Sequence, residues 1–238
     1  MAPDLNSSRI AAYTGPRSDI FELVPPNATR VLDLGCSDGS LGRALKAARP
    51  ERTVVGVEYS QELADRASAV MDRVLQADLN RPDSLDALTG GQFDCAVCAD
   101  VLEHLHQPAE LLTRLRTLLA PGATIVVSLP NIRHVSALNS IYFKGSFPRR
   151  PRGIFDDTHL RWFTLKDGRT LLQEAGFVVD ADMVCTLRWG DKGGGRANKL
   201  LDKVLGPVGH RIAPVREFLT YQFAMRGRLA EPSPLRAG

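Results

Sequence analysis

The chain has 238 residues, of which 44% are hydrophobic and 24% charged, and its formal net charge is +3. This length and composition are ordinary for a globular protein with one substantial core, and no apolar run approaches the roughly 20 residues of a membrane span. The small net charge gives no indication of a nucleic-acid partner, although Lys and Arg are concentrated in the second half of the chain.

The first half of the chain alternates buried strands with amphipathic helices. Strands are predicted at 31–34, 53–58, 74–78, 93–99 and 124–129. Helices are predicted at 41–48, 60–70, 84–88 and 109–119, and Pro121-Gly122 is expected to end the last of them. Near-continuous apolar strands that alternate with helices are typical of a parallel sheet covered on both faces. The pattern predicts an α/β fold with a doubly wound, mostly parallel sheet.

After the fifth strand the pattern changes. Residues 132–163 are irregular, basic and aromatic, and we interpret them as an insertion folded over the sheet edge. The remaining elements are predicted as a helix at 165–175, a strand at 177–187, a loop at 190–195, a helix at 197–205 and a strand at 218–225. We expect a single domain over 1–238, with its core at about 10–228 and a disordered tail at about 229–238.

A small-residue turn, Gly35-Cys36-Ser37-Asp38-Gly39, joins the first strand to the first helix. Glycine lets the backbone turn sharply and lets a ligand approach the main chain closely. The free N–H groups and the dipole of the following helix favour a carboxylate or a phosphate at this turn. Strand–glycine–helix turns without a ligand are also common, so the turn alone leaves both interpretations open.

Four predicted strands end on or beside a carboxylate: Asp33, Glu58, Asp78 and Asp100. In parallel sheets, ligands bind beyond the carboxyl ends of the strands, near the reversal of strand order. One acid at a strand end means little, because loops are polar. Four acids at the same edge predict a polar crevice.

The cysteines and histidines do not predict a metal site. Cys95 and Cys98 have the spacing of a redox or zinc motif, but residues three apart on a strand point to opposite faces. His104 and His106 diverge in the same way on a helix. Buried thiols and an N-terminus without a basic-then-apolar signal layout predict a reducing, cytoplasmic location.

The stretch from Asp33 to Gly39 resembles the first motif of class I S-adenosylmethionine (SAM) methyltransferases. Glu58, Asp78-Leu79 and the run from Asp100 to Leu105 are similar to the later motifs in order and spacing. The runs 128–131 and 157–164 resemble a narrower group, the ubiquinone-type and MetW-like small-molecule methyltransferases. The resemblance implies a Rossmann-like, seven-stranded methyltransferase fold. One departure is Ser37, which stands where the family usually has a glycine.

The resemblance also implies SAM as the cofactor and a set of residues that bind it. Glu58 would accept hydrogen bonds from the ribose hydroxyls, Asp78 would accept one from the adenine amino group, and Asp100 would lie near the ammonium group. The full set implied is Asp33, Gly35, Cys36, Ser37, Gly39, Glu58, Tyr59, Asp78, Leu79, Asp100 and Val101.

The acceptor is predicted to be a small molecule or a glycan- or lipid-linked group, methylated on oxygen by in-line displacement. A hydroxyl acceptor needs a general base, and the candidates are His104 and His159, either of which can instead be structural. Arg161 and the run 149–152 offer cations for an anionic acceptor, or simply form a solvated basic face.

A second hypothesis is a SAM-binding regulatory partner of another biosynthetic enzyme, as the MetW resemblance allows. Exposed aromatic residues of the insertion would then form the interface with that enzyme.

Overall fold

The computed structural model describes residues 17–183 and 212–230. The loop predicted at 190–195, the helix predicted at 197–205 and the tail from residue 231 onward lie outside these ranges. In the described part, no helix is long and apolar enough to cross a membrane.

Seven strands alternate with helices along the described chain. The strands are β1 (Arg30–Leu34), β2 (Thr53–Glu58), β3 (Arg73–Gln76), β4 (Phe93–Ala99), β5 (Leu119–Pro130), β6 (Phe177–Met183) and β7 (Gln222–Leu229). The α-helices are α1 (Ser18–Phe21), α2 (Ser40–Ala48), α3 (Gln61–Ser68), α4 (Pro108–Arg116), α5 (Val135–Leu138), α6 (Leu165–Glu174) and α7 (Ala213–Leu219). Short 3₁₀ turns span Asp86–Leu88 and Leu102–His104, and a π-helical turn spans Asn139–Phe143.

The strands form one sheet in the order β3-β2-β1-β4-β5-β7-β6. The pairs among the first five strands are parallel, whereas β7 runs antiparallel to both β5 and β6. The strand order reverses between β1 and β4, which places a crevice beyond the carboxyl ends of these two strands. The predicted α/β fold with a mostly parallel, seven-stranded sheet is confirmed.

Both faces of the sheet are buried, which explains why the strands are apolar at almost every position. Alternate residues of one strand belong to different clusters: Leu32 packs on one face and Val31 on the other. The same alternation separates Cys98 from Cys95, and both thiols are fully buried. The prediction that these two sulfurs diverge is confirmed.

The prediction that Pro121-Gly122 ends a helix at residue 119 is wrong. Helix α4 ends at Arg116, and Leu119 already pairs with Phe93 as the first residue of β5. The register against β4 shifts between Phe93 and Cys95, so Pro121 and Gly122 occupy an irregularity inside the strand. Proline has no N–H to donate, and Gly122 has a φ of 69°, which together make a bulge the natural place for them.

Three further predictions are corrected. The insertion at 132–163 is not irregular throughout, since it contains α5 and the π-helical turn. Residues 218 and 219 belong to helix α7, whose first turn contains a proline, and the last strand begins only at Gln222. That strand extends to Leu229, so residue 229 is not part of a tail. The predicted extension of the sixth strand beyond Met183 lies outside the described residues.

Candidate functional site

The carboxyl ends of β1, β2 and β4 meet at one edge of the sheet. Leu34 pairs with Val57 on one side and with Cys98 on the other, and Glu58 pairs with Gln76 of β3. Asp33, Glu58, Asp78 and Asp100 therefore lie along the same edge, as their spacing predicts. Asp33 and Glu58 are buried there, at 3% and 8% exposure.

The turn between β1 and α2 is a close-packed loop with left-handed backbone. Gly35 has a φ of 71°, and a Cβ atom at this position would lie 2.5 Å from Cγ2 of Val101. Gly39 has a φ of 77°, and its Cβ would lie 2.9 Å from the Cα of Ala67 in helix α3. Both positions require glycine because of conformation and space together. Cys36 is buried beside them, and burial raises the pKa of its thiol.

Glu58 is held by the backbone of two loops. Its Oε2 accepts a hydrogen bond from the N–H of Ser37 at 2.9 Å, and its Oε1 accepts one from the N–H of Ser60, also at 2.9 Å. Each carboxylate oxygen has two lone pairs, so each retains a position for a further donor. Two such positions side by side fit the two hydroxyls of a ribose.

Ser37, the departure from the family's glycine pattern, takes up the left-handed conformation nevertheless. Its φ is 51°, a region that residues other than glycine seldom occupy. The hydrogen bond from its N–H to Glu58 helps to offset the conformational cost. The backbone path of the loop therefore does not depend on a glycine at this position.

Asp100, directly after β4, is the centre of a polar network. Its carboxylate accepts hydrogen bonds from Arg17 Nη1 at 2.7 Å, from the Ser128 hydroxyl at 2.8 Å and from the Gln222 amide. Arg17 also pairs with Asp19 of α1. Through these two ion pairs Arg17 connects the start of α1 to the end of β4. A ligand ammonium group at Asp100 has to share the carboxylate with these three donors.

Asp33 is the buried acid of the crevice. Burial raises its pKa from the usual value near 3.8 to about 7, with Arg17 opposing the shift and Glu58 adding to it. The raised pKa shows that burial disfavours the ionised carboxylate, and a bound cation would favour it.

Asp78 and Tyr59 line the outer part of the edge. Asp78 Oδ1 accepts a hydrogen bond from the N–H of Asn80 at 2.9 Å, which fixes the turn after β3. Leu79 is buried, whereas 70% of the Tyr59 side chain is exposed. An exposed aromatic ring after β2 and a buried leucine after β3 are the kinds of side chain that pack against a flat heterocycle such as adenine.

The segment before α6 lies against the end of β4. The N–H groups of Leu160 and Arg161 both donate to the carbonyl oxygen of Glu103, at 2.9 and 3.1 Å. The guanidinium group of Arg161 donates to the carbonyl of His106. These contacts fix the segment over the carboxyl ends of the strands.

This docking brings His104 and His159 together, although they are distant in the chain. Their ring centroids lie 4.7 Å apart with the planes at 73°. Glu103 joins them, since its Oε1 lies 4.0 Å from Nε2 of His159. Burial raises the pKa of Glu103, with Asp100 adding to the shift, and burial lowers the pKa of both histidines. We call Glu103, His104 and His159 the Glu–His–His cluster.

Two residues of the site carry no signal strong enough to be singled out from the sequence. Glu103 stands inside the motif that contains Asp100 and His104, yet nothing local reveals that its carboxylate is turned inward. Arg17 lies in the lead-in to α1, and its contact with Asp100 spans more than eighty residues of chain. Only the tertiary structure identifies these partners.

The exposed part of the insertion is both basic and aromatic. Arg149, Arg150 and Arg152 are all exposed, and Arg149 donates to the carbonyl of Asp157. Tyr142 and Phe143 are 78% and 86% exposed. The sequence prediction of exposed aromatic and basic side chains in this segment is confirmed for these residues.

Comparison with known proteins gives a consistent result. A family described as "Methyltransferase domain" matches residues 6–181. The bifunctional methionine biosynthesis protein MetXA/MetW of Rhodopirellula baltica is 31% identical over 177 residues, which are 69% of this chain and 27% of that protein. The ubiquinone biosynthesis O-methyltransferase of Psychrobacter arcticus is 34% identical over 117 residues, 47% of this chain and 45% of that enzyme. The chain therefore spans less than half the length of these curated relatives.

Among solved structures, a SAM-dependent methyltransferase from Archaeoglobus fulgidus superposes with a TM-score of 0.57. The superposition covers 94% of both chains, at 16% sequence identity. At that identity the likeness establishes the fold.

Proposed function

The chain belongs to the methyltransferase-domain family, with the class I fold and SAM as the cofactor of that family, and on this premise we propose that it methylates a hydroxyl group. The acceptor is a small molecule or a glycan- or lipid-linked group. The methyl carbon passes from the sulfonium to the acceptor oxygen by in-line displacement. Because the leaving group is a neutral thioether, alignment and exclusion of water supply much of the rate. The buried free thiols support a reducing, cytoplasmic setting.

The observation that carries the proposal is the carboxylate of Glu58. It stands at the end of β2 with both oxygens oriented by backbone donors, and it faces the glycine turn that follows β1. An acid in this position of a doubly wound sheet recognises the ribose of a nucleotide-like cofactor. The partly unsolvated Asp33 beside it supports binding of a cationic methionine group.

Calorimetry with SAM tests the proposal. Replacing Glu58→Ala removes the charged acceptor of the ribose hydroxyls and should cost at least about 1.5–3 kcal/mol of binding free energy, the contribution of one such hydrogen bond. The matched control is Glu62→Ala, since Glu62 is exposed on the next helix and pairs only with Arg66 in the described residues. Unchanged SAM affinity in folded Glu58→Ala protein would contradict the proposal.

The acceptor side supports an anionic group on the substrate. The exposed side chains of Arg149, Arg150, Arg152 and Arg161 lie on the segment that covers the strand ends. Guanidinium groups recognise carboxylates and phosphates bidentately, so they suit a phosphorylated or acidic acceptor.

A second candidate function is a regulatory partner that binds SAM without methylating a small molecule. The observation that favours it is the exposure of Tyr142 and Phe143, which no described residue covers. A relative named for methionine biosynthesis gives it further support. Incubation with SAM labelled in its methyl group and with cell extract separates the two functions, because only the methyltransferase transfers label to a metabolite.

A further inference from the structure

The side chains of the Glu–His–His cluster converge on one point. Each of its three residues offers one ligand atom, and these atoms all lie within 4.8 Å of one another. Glu103 and His104 come from the 3₁₀ turn after β4, whereas His159 comes from the covering segment. Glu103 and His159 are buried, at 1% and 5% exposure.

In the part of the chain that the structure describes, the carboxylate of Glu103 lacks a hydrogen-bond partner. Among the described residues, its two oxygens are the only buried side-chain nitrogen or oxygen atoms without one. Buried polar groups are almost always satisfied, and an uncompensated carboxylate costs several kilocalories per mole. The main chain nevertheless holds the residue firmly, since the carbonyl of Glu103 accepts two hydrogen bonds from the covering segment. A rigidly held, buried and unpartnered carboxylate indicates that a positive partner belongs beside it.

Neutral His159 cannot be the positive partner of Glu103, because the ring atom that faces the carboxylate is a hydrogen-bond acceptor. Its Nδ1 lies 3.2 Å from the carbonyl oxygen of Ile154, and a carbonyl only accepts, so Nδ1 carries the proton. In the neutral ring Nε2 is then a lone-pair acceptor, and it faces Oε1 of Glu103 at 4.0 Å. When the carboxyl group of Glu103 is ionised, these are two acceptors facing each other, and a cation between them would satisfy both. Metal-binding histidines typically donate their other ring N–H to a backbone carbonyl in this way.

We propose that Glu103, His104 and His159 bind a divalent transition-metal ion, with Zn²⁺ as the reference ion, beside the methyl-transfer crevice. Two imidazole nitrogens and one carboxylate oxygen are a donor set of catalytic zinc sites, which keep a further position open for water or substrate. Metal–ligand bonds of about 2.0–2.2 Å place donor atoms about 3–4 Å apart. Binding therefore requires the largest separation, up to 4.8 Å, to shrink by about 1–2 Å.

The ion gives the cluster a chemical role in the proposed methylation, and for that role the inference rests on the proposed function. The acceptor hydroxyl binds at the open position, and the ion lowers its pKa so that its proton leaves to solvent. The oxygen then bonds to the methyl carbon of SAM while the carbon–sulfur bond breaks and its electron pair goes to sulfur. The products are the methyl ether, neutral S-adenosylhomocysteine and one proton.

Titration of the tag-free, EDTA-treated protein with Co²⁺ alone tests the site. Co²⁺ replaces Zn²⁺ and gives a visible absorption band when it binds nitrogen and oxygen ligands in a low-symmetry site. We expect one ion per chain, displaced by Zn²⁺, and a loss of affinity of tenfold or more in Glu103→Gln and in His159→Gln. The matched control is His106→Gln, because His106 is the neighbouring histidine outside the cluster. Absence of saturable binding, or equal binding by wild type and Glu103→Gln, would overturn the proposal.

SAM affinity measured on the same EDTA-treated samples separates this inference from the proposed function. Metal binding without SAM binding would leave the site standing and remove the methyltransferase function. SAM binding that depends on Glu58, in a chain that takes up no Co²⁺ or Zn²⁺, would remove only the metal site. Circular dichroism of each variant verifies that a lost signal does not come from unfolding.

Discussion

Glu58 and Glu103 are both buried glutamates at the carboxyl edge of the sheet, yet their surroundings are opposite. Each oxygen of Glu58 accepts a backbone hydrogen bond, from Ser37 or from Ser60. Neither oxygen of Glu103 has a hydrogen-bond partner among residues 17–183 and 212–230. Within the described residues, the carboxylate of Glu58 therefore has donors for both oxygens, whereas the carboxylate of Glu103 has none. This difference is the basis of the two proposals, a ribose at Glu58 and a cation at Glu103.

The difference also follows from how the two glutamates are held. The donors to Glu58 lie in loops next to it in sequence or in the sheet, so the chain supplies them as it folds locally. Glu103 is fixed through its own carbonyl group by the distant covering segment, which positions the carboxylate without satisfying it. Four substitutions, at these two glutamates and at two residues near Glu58, test the difference between their surroundings. They are given from the largest expected effect to the smallest.

Replacing Glu58→Leu should destabilise the fold, because it leaves the N–H groups of Ser37 and Ser60 without their acceptor. Each lost partner costs about 1–3 kcal/mol, so urea denaturation should show a decrease of about 2–6 kcal/mol in the free energy of unfolding. Glu62→Leu on the exposed face of α3 is the control and should change it by less than about 0.5 kcal/mol. A decrease below about 1 kcal/mol for Glu58→Leu would mean that water replaces the carboxylate easily, and the contrast with Glu103 would fail.

Replacing Asp33→Asn should make stability less dependent on pH. The pKa of Asp33 is about 7 in the folded protein, against about 4 in unfolded chains, so only the folded state holds the proton between these values. Wild-type stability therefore falls by up to about 1.4 kcal/mol per pH unit as pH rises through this window.

Without SAM, the gain in stability of Asp33→Asn over wild type should grow by about 2–3 kcal/mol between pH 5 and pH 7, and SAM binding should weaken. Denaturation curves at both pH values measure this growth, with Asp65→Asn on the exposed face of α3 as the control. A difference that is constant across the two pH values would show that Asp33 is ionised without SAM.

Replacing Glu103→Leu should stabilise the EDTA-treated protein, because it removes a buried carboxyl group that no described residue pairs with. We expect a gain of about 1–3 kcal/mol in the free energy of unfolding, opposite in sign to the effect of Glu58→Leu. Glu110→Leu on the exposed first turn of α4 is the control. A loss of stability instead would show that the Glu103 carboxylate makes a favourable contact in the metal-free protein.

Replacing Ser37→Gly should give the smallest effect, a gain of up to about 1 kcal/mol. Glycine adopts the observed φ of 51° without strain, although it adds entropy to the unfolded chain. Ser37→Ala keeps the backbone strain and removes only the hydroxyl, so it is the control for the side chain. Equal stability of the two variants would show that the strained backbone of this loop costs little.

Much of the cofactor side was predictable from the sequence because its interactions are local. The apolar runs define β1, β2 and β4 nearly to the residue, since both faces of a parallel sheet are buried and every position must be apolar. The glycine turn and the acid at the end of β2 were then located from where these apolar runs end. The resemblance to methyltransferase motifs then added the expected roles, and the family and the fold are confirmed.

The contacts of the Glu–His–His cluster and of Asp100 could be learned only from the tertiary structure. Nothing in the local pattern around His159 says that its ring meets His104, or that Glu103 turns its carboxylate towards both. Nor does the sequence connect Arg17 with Asp100. Periodicity reports whether a side chain is buried, whereas the partner that it meets depends on how distant segments close over it. The local spacing of His104 and His106 argued against a metal site, whereas the proposed site pairs His104 with His159 of the covering segment.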